Sequence, residues 1–359
     1  MLWLFIVCGL VYLLLQGWMF TGWIKTPRTT PPADILPVSV IIAAHNELEN
    51  LKKFLPSVLS LDYDNYEVVV ALDRCDDGSL EWLSALKNDR LILVDIRQTP
   101  TGWAPKKWAL TEGIRTARYE HLVFTDADCQ PGKYWLLEVN KHFSGETELI
   151  LGVGPYFSYP GLLNRFIQFE TFYAAYQYIG LTVRGIPYMG VGRNIAYTRT
   201  FFERNGGFEK FRSRLSGDDD LLVNAFARNT HTAVMVSTPS QVFSEPKHTF
   251  STWFRQKLRH VSASGAYSVK TKLILGIFHV SHSGFYLFGL LLCMNNLTGW
   301  GFFSLYIIRI TLSGILLGKI ADNIGMRRII WLYPVLDFLF FIYNLSAVPI
   351  GLTRKPSWI

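Results

Sequence analysis

The sequence is poor in several residue types and motifs, and each shortage excludes something. Only four cysteines occur among 359 residues, Cys8, Cys75, Cys129 and Cys293. No spacing among them suits a zinc site, and no disulfide scaffold can be built from so few, so a reducing compartment fits. No GxGxxG follows the first strand-like run, which removes the dinucleotide fingerprint, and no GxxxxGK(S/T) occurs, which removes the P-loop. There is no internal repeat and no low-complexity tract. The sequence also carries no RNA- or DNA-binding motif, so no nucleic-acid partner is expected, and it names no protein partner.

Apolar residues are abundant, at 50% of the chain, with mean hydropathy +0.19, and they cluster in four runs. Residues 2–20 hold no charge and are long enough to span a bilayer. No basic segment precedes them and no small-residue cleavage site follows, so a retained anchor is expected at 1–24. Residues 273–294 carry two histidines, 299–318 carry Arg309, and 329–352 carry Asp337 with Pro334 and Pro349. These form an expected three-helix tail, 273–352, although the prolines leave a re-entrant course open for the last run. Interhelical pairing is the expected use of His279, His282, Arg309, Asp337 and Asn344. A proline-rich linker, 25–36, joins the anchor to a globular domain at 37–262. Net charge is +7. Much of the basic excess lies beside the membrane, so the positive-inside rule places that domain in the cytoplasm.

Within the globular domain, residues 37–44 form a continuous β-branched run, the mark of a strand buried on both faces. A helix follows at about 49–59, then a strand at 66–72, the helical stretch SLEWLSALK, a strand at 91–96, a helix at 105–117 and a strand at 121–125. This alternation predicts an α/β fold with a mostly parallel sheet. Ligands bind such sheets beyond the carboxyl ends of the strands. Three of these strands end in polar clusters: His45/Asn46/Glu47, Asp73/Asp76/Asp77 and Asp126/Asp128. For Asp77 and Ser79, helix capping is an equal alternative.

Asp126 and Asp128 lie two apart, so on an extended segment both face one pocket. Two carboxylates there suit Mg²⁺ or Mn²⁺ carrying a diphosphate. A second acidic cluster, SGDDDLL at 216–222, offers either a helix cap or a general base. On a helix over WFRQKLRH, Gln256, Arg259 and His260 share one face. They read as a clamp on the diphosphate or acceptor, or as part of an interfacial helix at about 250–268 with Trp253 and Phe254 in the headgroups. A second interfacial helix, about 160–187, places Phe166, Phe169, Phe172, Tyr173, Tyr176 and Tyr178 at helical spacing. They serve core packing or a lipid-facing acceptor entrance.

Taken together, VSVIIAAHNE (38–47), VVVALDRCDDGS (68–79), APKKWALTEGI (104–114), FTDADCQP (124–131), GVGRNIAYTRTFFERNGGF (190–208), SGDDDLL and RQKLRH (255–260) resemble, in order, the membrane-anchored family 2 glycosyltransferases. The resemblance implies a GT-A fold, Rossmann-like with a mostly parallel sheet, and inverting sugar transfer from a nucleotide-sugar donor. It implies that Ala43, Ala44, His45 and Glu47 line the nucleotide pocket and that Asp73 reads the base. Lys106 matches the lysine of a K-x-x-A-L segment. Asp126 and Asp128 match the D-x-D metal motif, with Asp128 the foremost ligand. Asp218 matches the catalytic base, with Asp219 the alternative because Gly217 replaces the usual acidic residue. His260 replaces the tryptophan of Q-x-x-R-W, which argues for transfer of one sugar to a lipid or lipid-linked acceptor. The layout resembles that of ceramide and carotenoid glucosyltransferases. A processive polysaccharide synthase and a non-catalytic sugar-nucleotide-binding protein are the alternatives.

Overall fold

The computed structural model describes residues 1–26, 34–297 and 299–353. Most of the linker, 27–33, and the C-terminal residues from 354 on, which include Arg354 and Lys355, lie outside the described residues. The elements run α1 (Leu2–Trp23), β1 (Val38–Ala44), α2 (Leu48–Leu59), β2 (Tyr66–Asp73), α3 (Ser79–Ala85), β3 (Leu91–Ile96), α4 (Pro105–Thr116), β4 (His121–Phe124), β5 (Cys129–Pro131), α5 (Trp135–His142) and β6 (Leu149–Gly152). Then come α6 (Leu162–Val183), β7 (Ile195–Thr198), α7 (Arg199–Arg204), α8 (Asp220–Phe226), β8 (Thr232–Met235), β9 (Val242–Ser244), α9 (Phe250–Ser264), α10 (Val269–Met294), α11 (Trp300–Asn323) and α12 (Tyr333–Thr353). These fall into two compact units.

The first unit comprises 34–157 and 187–246. A seven-stranded sheet runs β3-β2-β1-β4-β7-β6-β8. Strands β3, β2, β1 and β4 are mutually parallel, as are β6 and β8, while β7 runs antiparallel between β4 and β6. The α/β expectation is therefore met. β2 is buried along its whole length and β1 almost so, which is why both read as unbroken apolar runs. One face of β1 and β2 packs against Leu51 and Leu55 of α2. On the other face α4 lies close, since a Cβ on Gly113 would stand 3.0 Å from Ile41. Because β1, β2 and β4 are adjacent and parallel, their carboxyl ends open on one edge. A short antiparallel pair, β5 with β9, closes over the segment that follows β4.

The second unit comprises α1, α6 and the chain from 247 onward. Among the described residues, four of its helices are long and apolar enough to cross a membrane: α1, α10, α11 and the segment Arg327–Thr353 that contains α12. This meets the expectation of one N-terminal and three C-terminal spans. Many outward side chains, such as Leu14, Val280 and Ile307, are apolar and exposed, as lipid contact requires. Of the five polar spots, His282, Arg309 and Asp337 pair as expected, whereas His279 Nδ1 and Asn344 Nδ2 have no hydrogen-bond partner among the described residues. Asp337 of α12 accepts from His282 Nε2 (3.1 Å) and Tyr286 OH (2.5 Å) of α10 and from Arg309 of α11.

Helix α6 crosses α1 where a Cβ on Gly22 would lie 2.2 Å from the Gly180 carbonyl. Trp23 Nε1 donates to the Tyr176 carbonyl at 2.9 Å, and the Tyr12 and Tyr173 hydroxyls meet. Phe166, Phe169, Phe172, Tyr173, Tyr176 and Tyr178 are all buried. They pack the interior of this unit and do not form a lipid-facing entrance. Trp253 is also buried, at 2% exposure, between Phe166 and Tyr343. The expected place for it among headgroups is corrected: α9 turns that face inward, onto α12 and α6, and Lys257 pairs there with Glu170.

Candidate active site

The ends of β1 and β2 are tied by reciprocal bonds. His45 Nδ1 lies 2.5 Å from the Asp73 carbonyl. Asn46 and Asp76 exchange two hydrogen bonds, at 2.7 and 3.0 Å. Asp77 accepts from the Leu48 and Ser79 amides, so it satisfies the first amides of α2 and α3 and the capping alternative holds for it, while Ser79 begins α3 and donates its hydroxyl to Asp77 at 2.6 Å. Asn46 (φ 54°) and Arg74 (φ 49°) both sit in the left-handed region, a strain that collects at ligand-binding turns. The Asp73 carboxylate is nearly buried and takes both arms of Arg74, at 2.8 and 2.9 Å. Glu47 accepts from Asn50 at 2.5 Å. Ala43 and Ala44 end β1 beside these groups, with Ala44 buried.

Beyond β4, two acidic residues from distant segments converge on one lysine. Lys106, in the first turn of α4, places Nζ 2.9 Å from Asp126 Oδ1 and 3.1 Å from Asp218 Oδ2. The two aspartates, 92 positions apart in sequence, are thus bridged by one ammonium group. Burial works against the Lys106 charge, but Asp126 and Asp218 outweigh it and hold its pKa well above the usual lysine value. Asp128 shares its Oδ1 with two neighbours, the Cys129 thiol at 3.3 Å and the Ser244 hydroxyl at 3.4 Å. Asp126, Asp128 and Cys129 each offer a ligand atom, all within 4.8 Å of one another. Burial, then the charges of Asp128 and Asp126, push the Cys129 thiol up and keep it protonated. The hard carboxylates of Asp126 and Asp128 are the groups in this set that could hold a divalent ion, and their chemistry fits Mg²⁺ or Mn²⁺.

The acidic loop resolves into separate tasks. Asp219 accepts from the Asp220 amide (2.8 Å) as the N-cap of α8 and from the Gly192 amide (2.6 Å) of the GVGRN segment. Burial, joined by the charge of Asp218, raises its pKa to about 6. Burial would raise Asp218 as well, but Lys106 and Lys107 outweigh it and lower that carboxyl to about 2. The glycine before Asp218 has a backbone cause. Gly217 has φ +89°, and a Cβ there would lie 2.5 Å from Leu221, so an acidic residue would not fit this turn. Sequence reasoning missed Lys107. It is 1% exposed, and its Nζ donates to the Arg214 (2.6 Å) and Ser216 (2.8 Å) carbonyls, which anchors the acidic loop to α4. The paired KK at 106–107 was the available signal.

The structure thus joins Lys106, Asp126, Asp128, Asp218 and Asp219 in one site, beside the strand ends that carry His45, Glu47 and Asp73. Gln256, Arg259 and His260 lie on α9, in the other unit, with His260 exposed.

The comparisons agree with this architecture. The chain is similar to a mannosyltransferase from Pyrobaculum calidifontis, solved with GDP-mannose and Mn²⁺, at TM-score 0.58 and 18% identity over 93% of this chain and 98% of that one. The shared fold is GT-A. In sequence, 109 residues are 30% identical to a poly-β-1,6-N-acetyl-D-glucosamine synthase of Staphylococcus aureus, covering 29% of this chain and 26% of the synthase. A further 33% identity over 129 residues links it to the glycosyltransferase AglE of Haloferax volcanii, covering 34% of this chain and 40% of AglE. The chain therefore spans well under two thirds of either relative. The profile of glycosyl transferase family 21, a family of the GT2 type, matches residues 1–350, and the chain belongs to that family of enzymes.

Proposed function

We propose that this glycosyltransferase moves one sugar from a nucleoside-diphosphate donor, a UDP-sugar in our reading, to the hydroxyl of a lipid or lipid-linked acceptor at the cytoplasmic membrane face. The observation that carries the reading is the convergence of Asp126 and Asp218 on Lys106, within 2.9 and 3.1 Å. It supports a diphosphate-binding end and a proton-accepting end lying together at one sheet edge. The four apolar helices support a membrane-borne acceptor.

In this mechanism the strand-end groups Ala43, Ala44, His45, Glu47 and Asp73 hold the nucleotide. Asp128 and Asp126 would hold a divalent ion, which when bound neutralises charge on the leaving diphosphate. Lys106 faces the same phosphates. Asp218 takes the proton of the acceptor hydroxyl, whose oxygen forms the new bond to the anomeric carbon as the bond to diphosphate breaks, with inversion. Both Asp219 oxygens hold backbone amides, so Asp218 is the base in this reading and Asp219 positions it. Gln256, Arg259 and His260 are assigned to the acceptor or diphosphate.

A processive reading is favoured by the similarity to a polysaccharide synthase. Product length on a gel separates the two. The principal test is transfer of labelled sugar to a lipid extract. Asp218→Asn should bind nucleotide normally and lose turnover by about 10²–10⁴-fold. Asp128→Ala should lose metal-stimulated activity. Full metal-independent turnover in Asp128→Ala would remove the ion from the mechanism, and active Asp218→Asn would move the base to Asp219.

A further inference from the structure

Two adjacent lysines begin α4, and they are held differently. Lys107 is 1% exposed and locked on two carbonyls of the acidic loop. Lys106 is about one third exposed at its side chain and, among the described residues, is held by the carboxylates of Asp126 and Asp218. Its flexible four-carbon stem leaves it free to turn, whereas Lys107 is fixed.

The Asp126 oxygen that Lys106 occupies belongs to the same carboxylate that would take a divalent ion. An ammonium 2.9 Å away uses its lone pair and repels a second cation. An ion arriving alone must displace that lysine without offering it another anion. An ion arriving with a diphosphate brings new acceptor oxygens, onto which the ammonium can turn. We infer that Lys106 is a place-holding cation that occupies the metal carboxylate until a nucleoside diphosphate draws it away, so that metal and donor load together. The inference rests on the nucleotide-donor reading above.

The experiment uses the full-length protein in detergent and measures Mn²⁺ binding from the free-ion EPR signal, without nucleotide and with saturating UDP or GDP. Wild type should bind Mn²⁺ weakly alone and about tenfold more tightly with the accepted nucleotide. Lys106→Met should bind Mn²⁺ alone about tenfold more tightly than wild type and gain little from nucleotide. Lys106→Arg keeps a cation between the carboxylates and should stay near wild type. Lys106→Gln, read in the same way, guards against a Met variant that packs badly, and a thermal melt of each variant checks folding. The inference is overturned if both neutral, folded variants bind Mn²⁺ alone no better than wild type while nucleotide still enhances wild-type binding and Asp128→Ala abolishes it. If neither nucleotide alters Mn²⁺ binding in wild type, the donor reading itself fails and the place-holder falls with it.

Discussion

Asp218 and Asp219 are neighbours with opposite environments, and the difference sets their pH behaviour. The Asp219 value is raised from the ordinary 3.8 to about 6, so folding favours its protonated form. Its ionised form costs stability above that value, and the cost is relieved as pH falls below it. The Asp218 value is lowered to about 2, so its contribution is whole above 3.8 and lost only as pH falls towards 2. Between pH 7 and 5 Asp219 should contribute a rise of about 2–4 °C to the wild-type melting temperature, against the opposite pull of His121 and His142, whose values burial lowers and whose charging therefore costs stability. Asp219→Ser keeps a cap for α8 but leaves the Gly192 amide without its acceptor. It should lower stability by about 1–3 kcal/mol and flatten the rise. A melt series across pH checks both; an unchanged rise in the serine variant would assign it elsewhere. The charge pattern SGDDD was legible in sequence, but the division of labour was not, because it depends on Gly192, Lys106 and Lys107, which lie far away in the chain.

At the scale of elements, the contact of α1 with α6 depends on missing side chains. Gly22→Ala would drive a methyl into the Gly180 carbonyl, 2.2 Å away, whereas Gly17, on the same helix, has nothing within 4 Å of its Cβ position. Gly22→Ala should destabilise the detergent-solubilised protein by about 1–3 kcal/mol, and Gly17→Ala should be neutral or stabilising by up to about 1 kcal/mol. Thermal unfolding followed by fluorescence checks the pair, and equal effects would dissociate the crossing from stability. Strands β1–β4 were legible to within a residue or two, β1 and β2 because a strand buried on both faces needs an unbroken β-branched run, whereas β6, β7 and β8 of the same sheet were not read from the sequence. Helix α6 was legible as a helix but not as buried. An aromatic stripe looks the same whether it meets lipid or protein, and only its neighbours decide.

Across the whole molecule, the three C-terminal spans are fastened by charge. Arg309 and Asp337 are at most 2% exposed, and His282 and Tyr286 complete the Asp337 shell. Removing one partner leaves the other charge buried alone, so Arg309→Met should cost about 3–5 kcal/mol. Arg309→Met with Asp337→Leu should recover much of that loss, because two apolar groups avoid the desolvation that both charges require. The measurement is the yield and melting temperature of full-length protein. A double variant as unstable as the single one would show that His282 and Tyr286 depend on Asp337.

The sequence by itself determined the class of fold, the four spans and the residue types of the site, because each is written in local periodicity: apolar length for a span, β-branched runs for buried strands, a carboxylate pair at a strand end for a metal. Only the tertiary structure decided that Asp126 and Asp218 share one lysine, that Asp219 is held by backbone amides, and that the α6 aromatics and Trp253 face inward. Those outcomes depend on groups brought together from distant segments, and no local pattern encodes which neighbour a side chain will meet.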